Sequence, residues 1–223
     1  IPLRLVGSEM CIRDRNSPIN ILVVGGSLGA KVLSQVVPEA ILLLPDDLRK
    51  NIMITQQCRE NDIPMVKSIY SKAKQKNEIK VFFENISEKI RDAHLVISRS
   101  GASTIAELSV IGRPGVFVPY KFAADDHQQI NANRMVKAGG AWSFNEADLN
   151  SKTLAKFLKS ILSDSEKLTT AANAAYHFGV PNSAELLAEF LNDLSEQGIL
   201  QVNCAAFEAV SYTHLTLPTN REV

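Results

Sequence analysis

Ile19-Asn20-Ile21-Leu22-Val23-Val24-Gly25-Gly26-Ser27-Leu28-Gly29-Ala30 is the stretch that sets the fold class. A short apolar, β-branched run ends in a glycine pair. It reads as a buried strand, a tight turn and the start of a helix. The same signal recurs downstream. Asn51–Thr55 (NIMIT), Ile79–Phe83 (IKVFF), His94–Ser98 (HLVIS), Gly115–Pro119 (GVFVP) and Ala141–Phe144 (AWSF) are expected as strands two to six. Helical spacing is found over 64–76 (Met65, Ile69, Ala73), 86–91, from Gly101 through Ile111, and from about Gln128 to Ala138. Residues 151–194 read as helical throughout, with Phe157, Leu158, Ile161 and Leu162 on one packing face. Strands alternating with helices of this length predict an α/β fold: a Rossmann-like parallel sheet with helices on both faces and strands apolar on both sides.

The 223 residues hold 24 Lys+Arg and 24 Asp+Glu, so the formal net charge is zero. That balance argues against a dedicated nucleic-acid binder, which normally carries a basic face or tail. Apolar runs stay far below the roughly 18 residues of a membrane helix; Ala40–Leu44 is bounded by Pro38 and Pro45. Residues 1–15 lack the apolar stretch of a signal peptide. Cys11, Cys58 and Cys204 are odd in number and far apart, which fits a reducing compartment with no disulfide framework. Neither they nor His94, His127, His177 and His214 have metal-ligand spacing, so no metal is expected. Residues 1–15 and 210–223 show no period and read as segments foreign to the body, of the kind made when adapter DNA at a contig end is translated. The domain is expected over 16–194, with 195–209 an unassigned tail.

Three segments invite a chemical reading, each beside a plainer one. Glycines 25, 26 and 29 follow a strand and precede a helix, whose free N–H groups and dipole favour phosphate. A turn that only packs helix on sheet explains them equally. The dinucleotide fingerprint is not met: its first glycine falls on Val24, and the second strand runs into Gln56-Gln57 where an acidic residue is expected. Ser98 to Glu107 (SRSGASTIAE) sits at the end of a parallel strand and opens a helix, where open α/β sheets bind ligands. Small residues from Ser100 to Thr104 leave main-chain N–H groups reachable by a diphosphate. Glu107, on the same helical face as Ser103 and Thr104, can accept hydrogen bonds from a ribose diol. The plainer reading is a capping box, Thr104-x-x-Glu107. Asp125 to Asn131 (DDHQQIN) groups amides and an imidazole that suit sugar hydroxyls; a solvated first turn capped by Asp125 or Asp126 explains it as well. Trp142 reads as core, Cys58 as a small loop residue, and Lys72, Lys74 and Lys76 as a solvated face.

Taken in order, VVGGSLGA (23–30), SRSGASTIAE (98–107), GRPGVFVPY (112–120), DHQQINA (126–132) and KAGGA (137–141) resemble the C-terminal half of the MurG family of GT-B glycosyltransferases. The resemblance covers about residues 19–194. It implies the donor-binding domain of a two-domain fold, with the N-terminal domain missing from this chain. That domain would hold the lipid-linked muramyl-pentapeptide acceptor and touch the membrane. Its implied donor-site residues here are Ser27 near the pyrophosphate, Phe83 reading uracil through its main chain, Ala102, Ser103, Thr104, Ile105 and Ala106 at the helix start, Glu107 on the ribose, and Gln128 on GlcNAc. Gly26, Ser100, Gly101, His127 and Asn131 lie beside them. The family's glycine-rich N-terminal loop and its proposed catalytic histidine and asparagine have no counterpart here, so no catalytic residue is expected in this chain.

The resemblance further implies an inverting transfer of GlcNAc from UDP-GlcNAc to the acceptor 4-hydroxyl, in which UDP-GlcNAc is a substrate and no cofactor is needed. The place of work would be the bacterial cytoplasm, peripheral on the inner membrane. The fragment itself is expected to bind donor only. Other readings stay open: another GT-B enzyme, such as a UDP-GlcNAc 2-epimerase or glycolipid transferase, or a non-catalytic α/β module.

Overall fold

The computed structural model describes residues 18–26, 30–121 and 126–196. Residues 1–15 and 195–223 with their expected assignments, apart from the helical 195–196, lie outside these, as do Ser27 and Asp125. The chain divides into two units, residues 1–180 and 181–223.

The first unit is built on six parallel strands in the order β3-β2-β1-β4-β5-β6. They are β1 (Ile19–Val24), β2 (Ile52–Gln57), β3 (Lys76–Lys80), β4 (Leu95–Ser98), β5 (Gly115–Phe117) and β6 (Ala141–Ser143). The helices between them are α1 (Lys31–Leu42), α2 (Asp46–Lys50), α3 (Ile63–Lys72), α4 (Ile86–Asp92), α5 (Ala102–Ile111) and α6 (His127–Lys137). After β6 come α7 (Ser151–Leu162) and α8 (Ser165–Phe178). The second unit contributes α9 (Ser183–Glu196), an amphipathic helix with Leu186, Leu187, Phe190 and Leu191. The expected single helical stretch is therefore three helices, interrupted over 163–164 and 179–182.

Alternation along β1 explains the two-faced core. Ile19, Ile21 and Val23 join α1, α3 and α7 in one cluster, whereas Leu22 joins Ile105 and Leu108 of α5 and Ala132 and Met135 of α6 in the other. At about 25 cal/mol per Å² of apolar surface removed from water, these two layers supply the main drive to fold. Phe157 packs beside Leu158, Ile161 and Leu162, and Trp142 stands edge-on to it at 5.5 Å. Glycines serve the turns. Gly112 takes φ +72° and ends α5 in the left-handed conformation. Gly140 is a close approach, because a Cβ there would lie 2.7 Å from Ala175 Cα.

The third strand differs from expectation. Sequence placed it at 79–83 and the structure places it at Lys76–Lys80. It is an edge strand, so its residues KNEIK need not be apolar, and they stay exposed or half-buried. The apolar Val81-Phe82-Phe83 follows it as a loop, with Phe82 69% exposed and Phe83 buried. Phe83 is thus three residues beyond the strand and not at its end. The expectation of strands apolar on both faces also fails at this edge.

Candidate functional site

The strand order reverses between β1 and β4, which pair with Val24 opposite Ser98. The two glycine-containing turns of the sequence reading therefore emerge side by side at the carboxyl end of the sheet. A crevice at this reversal is where open α/β sheets bind ligands.

On the β1 side, Gly26 takes φ +79°, and a Cβ added there would meet no atom of the described residues within 4 Å. On the β4 side, Ser98 is buried, and its Oγ has no hydrogen-bond partner among the described residues. Gly101 is the N-cap of α5, with extended backbone (φ −61°, ψ 150°) and no side chain to cap the helix. The amides of Ala102, Ser103 and Thr104 precede the first intrahelical bond, which Ile105 N–H makes to Gly101 O at 3.0 Å. Three donors and the positive end of the helix dipole thus lie at the carboxyl end of the sheet, beside the β1 turn. The alternative capping box is not formed. Thr104 is the third residue inside the helix, not its cap, and Glu107 lies further along.

Glu107 is exposed, on the face of Ser103, one turn from the uncapped end. Ala102, Ser103 and Ala106 are exposed and Thr104 is half-buried. Ile105 is placed differently from its neighbours: its side chain packs in the core and its amide is used within the helix, which leaves it a structural part. Ser100 is likewise committed. It is fully buried, and its hydroxyl donates to Gln128 O at 2.8 Å.

That bond fastens the start of α6 to the β4 turn. Asp126 begins α6 in the left-handed conformation (φ +50°) with no side-chain cap bond among the described residues. His127 is exposed at the first helical position. Gln128 Oε1 accepts from Tyr120 N–H at 2.9 Å, and Asn131 Nδ2 donates to Ser100 O at 3.4 Å. Gln129 turns along the helix to Asn133 Oδ1 at 2.9 Å. The structure thus brings Gly26, Ser100, Gly101, Ala102, Ser103, Thr104, Glu107, Gln128 and Asn131 to one end of the sheet.

Phe83 follows the carboxyl end of the edge strand β3, its ring under Lys80 Nζ (5.6 Å) and Lys89 Nζ (5.7 Å). Those lysines also hydrogen-bond Glu78, Lys89 at 2.6 Å and Lys80 at 3.0 Å, and hold its carboxyl below the ordinary glutamate range. Cys58 is buried in the core, and burial pushes its thiol up, away from reactivity. Among the described residues no cluster of three His, Cys, Asp or Glu could hold a metal ion, and no helix is long and apolar enough to cross a membrane.

Sequence reasoning missed Arg99, Tyr120 and Glu146. Arg99 donates to Val118 O, Pro119 O and Glu146, and stacks on Tyr120. The arginine was visible inside SRSG, but nothing in the sequence links it to a carboxylate 47 residues away.

Comparison with known proteins places the chain. The model of the glycosyltransferase family 28 C-terminal domain matches residues 20–187. The UDP-N-acetylglucosamine--N-acetylmuramyl-(pentapeptide) pyrophosphoryl-undecaprenol N-acetylglucosamine transferase of Erythrobacter litoralis is 41% identical over 212 residues, covering 90% of this chain and 53% of that protein. Its namesake from Paramagnetospirillum magneticum is 43% identical over 174 residues, covering 78% and 47%. The chain spans about half the length of these curated relatives. Among solved structures, Acinetobacter baumannii MurG superposes with a TM-score of 0.74 at 28% identity, covering 81% of this chain and 53% of that one. UDP-GlcNAc 2-epimerase from Neisseria meningitidis, bound to UDP-GlcNAc, superposes at 0.57 with 13% identity over 82% of this chain and 45% of its own, and shares the fold alone.

Proposed function

The chain belongs to glycosyltransferase family 28, whose C-terminal domain model matches most of its length, and from that membership we propose that it is the donor-binding half of a UDP-GlcNAc transferase acting on a lipid-linked muramyl-pentapeptide. The observation that carries this reading is the start of α5: three amides without a side-chain cap, beside the β1 turn, with an exposed carboxylate one turn on. The diphosphate of UDP-GlcNAc lies on Ala102, Ser103 and Thr104. Glu107 accepts from the ribose hydroxyls, and Gln128, with His127 and Asn131 beside it, faces GlcNAc. Phe83 offers main-chain groups to uracil, and Ser27, outside the described residues, approaches the pyrophosphate.

The chemistry asked of this half is electrostatic. When the acceptor 4-hydroxyl attacks the anomeric carbon, the bond to the β-phosphate breaks and negative charge grows on that phosphate. Fixed N–H groups aimed there stabilise the transition state more than the ground state. UDP leaves as the product. The group that takes the acceptor proton belongs to the half of the relatives that this sequence does not span, and so do the acceptor site and any peripheral contact with the cytoplasmic face of the bacterial inner membrane. UDP-GlcNAc is consumed as a substrate, and no cofactor is required.

Titration of the 223-residue chain with UDP-GlcNAc, UDP-glucose and NAD tests this. UDP-GlcNAc is expected to bind, to be displaced by UDP and to outcompete UDP-glucose, with NAD silent. Binding of neither UDP sugar overturns the reading. Turnover of a lipid acceptor by this chain alone overturns its restriction to donor binding, and 2-epimerisation of UDP-GlcNAc favours the epimerase alternative.

A further inference from the structure

One arginine ties three strand-end segments together. Arg99 follows β4, and its Nη1 donates to Val118 O (2.9 Å), to Pro119 O (3.1 Å) and to the Glu146 carboxylate (2.7 Å). Its guanidinium lies over the Tyr120 ring, 5.3 Å from the centroid. The Arg99 side chain is 13% exposed and that of Glu146 28%, so the pair is largely shielded from water, where a lone charge is costly. The segment 118–120 is thereby gripped on its carbonyls and on its aromatic ring.

That segment controls a residue of the crevice. Tyr120 N–H points at Gln128 Oε1 at 2.9 Å. A main-chain N–H can only donate, so the carboxamide oxygen must be the atom facing it, and the NH₂ group is turned the opposite way. The main chain of Gln128 is held as well: the Ser100 hydroxyl donates to its backbone carbonyl at 2.8 Å. A glutamine free to flip offers either a donor or an acceptor. Here Tyr120 N–H takes one lone pair of the oxygen and fixes which way the group faces, so the NH₂ is the end presented away from segment 118–120.

We propose that Arg99 and Glu146 are a positioning pair that, through segment 118–120, fixes the carboxamide of Gln128 as a hydrogen-bond donor to the sugar of a bound nucleotide sugar. Neither residue touches the ligand. The pair acts on recognition of the sugar and not of the nucleotide, because the diphosphate and ribose contacts are made by α5, which the Arg99 side chain does not brace. The inference rests on the donor-site reading above, since Gln128 faces a sugar only if the diphosphate lies on α5. The acceptor it selects is a hydroxyl or acetamido oxygen in the sugar ring's substituents.

The test is the affinity of the full chain for UDP and for UDP-GlcNAc, measured by titration calorimetry for wild type, Glu146→Gln, Arg99→Lys and Gln128→Ala. Wild type is expected to bind UDP-GlcNAc more tightly than UDP. Glu146→Gln should lower UDP-GlcNAc affinity about fivefold to tenfold, the size of one hydrogen bond, and leave UDP within about twofold. Arg99→Lys should do the same, because an ammonium pairs with Glu146 but cannot span the carbonyls and stack as a planar guanidinium does. Adding Glu146→Gln to Gln128→Ala should cost nothing further. The Gln128 side-chain NH₂ resonances should shift in Glu146→Gln, a readout independent of affinity.

If wild type prefers UDP-GlcNAc and Glu146→Gln and Arg99→Lys both keep that preference, the positioning role is overturned while the donor site stands. If UDP and UDP-GlcNAc affinities fall together, the pair is merely structural and the role is equally overturned. If wild type binds neither compound, the donor-site reading falls and the inference falls with it.

Discussion

Helices α5 and α7 follow strands of the same sheet, and they begin in opposite ways. Asn150 starts α7 with a full capping box: its Oδ1 accepts from Thr153 N–H at 3.0 Å, and Thr153 Oγ1 accepts from Asn150 N–H at 3.2 Å. Gly101 starts α5 with no side chain at all. An uncapped helix start forgoes about 1 kcal/mol that Ser, Thr, Asn or Asp would supply over alanine, though glycine itself loses only a few tenths of that. α7 satisfies one of its first-turn donors with its own cap and packs on the core. α5 leaves the amides of Ala102, Ser103 and Thr104 without a side-chain cap, and carries the exposed Glu107 one turn beyond Ser103. Among the described residues α7 and α8 have side-chain caps, whereas α1 to α6 begin without one, so what distinguishes α5 is its place at the reversal of strand order.

The largest effect expected from breaking this contrast is at Glu107. Glu107→Ala should weaken UDP and UDP-GlcNAc together by about a hundredfold, since two hydrogen bonds to a charged group are lost, with little change in Tm; calorimetry and a thermal melt read both. Next is Gly140→Ala, which drives a methyl into the α8 backbone. It should cost about 2 kcal/mol in urea unfolding and leave the affinity of the folded fraction as it was. Asn150→Ala should cost about 1 kcal/mol and lower Tm by about 2–4 °C, again without a change in affinity. Smallest is Glu78→Gln, worth less than about 1 kcal/mol because the ion pairs are partly open to solvent. Here the sign with pH is fixed. Hydrogen bonds from Lys89 and Lys80 lower the folded carboxyl below its ordinary value of 4.5. The stability it adds is full above that value and is lost as pH falls through the lowered one. A pH series of melts should show wild type and Glu78→Gln converging only at the acid end.

Much of this was legible in the residues. The β1 and β4 runs are apolar because both faces of those strands are covered, and each is closed by glycine where the chain turns. The third strand was misplaced because period and hydrophobicity report burial, and an edge strand such as Lys76–Lys80 has little to report. The adjacent Val81-Phe82-Phe83 gave the stronger signal from a loop. Thr104 and Glu107 have capping-box spacing, and only the backbone shows that the cap is Gly101, three residues earlier. The link from Glu146 through Arg99 to segment 118–120 joins residues that the topology, not the sequence, makes neighbours. Gln128 and Asn131 were legible as sugar-suited groups; which way the Gln128 carboxamide faces was not.

Gly101→Asp tests the central claim most directly. The position has room for a side chain, the nearest atom to an added Cβ being Thr104 Oγ1 at 3.8 Å, and its φ is one that any residue adopts. An aspartate there caps α5 and puts a carboxylate where the diphosphate would sit. The account predicts a Tm equal to or slightly above wild type and a loss of UDP-GlcNAc affinity of more than about tenfold. A variant that melts like wild type and still binds UDP-GlcNAc with undiminished affinity would contradict it.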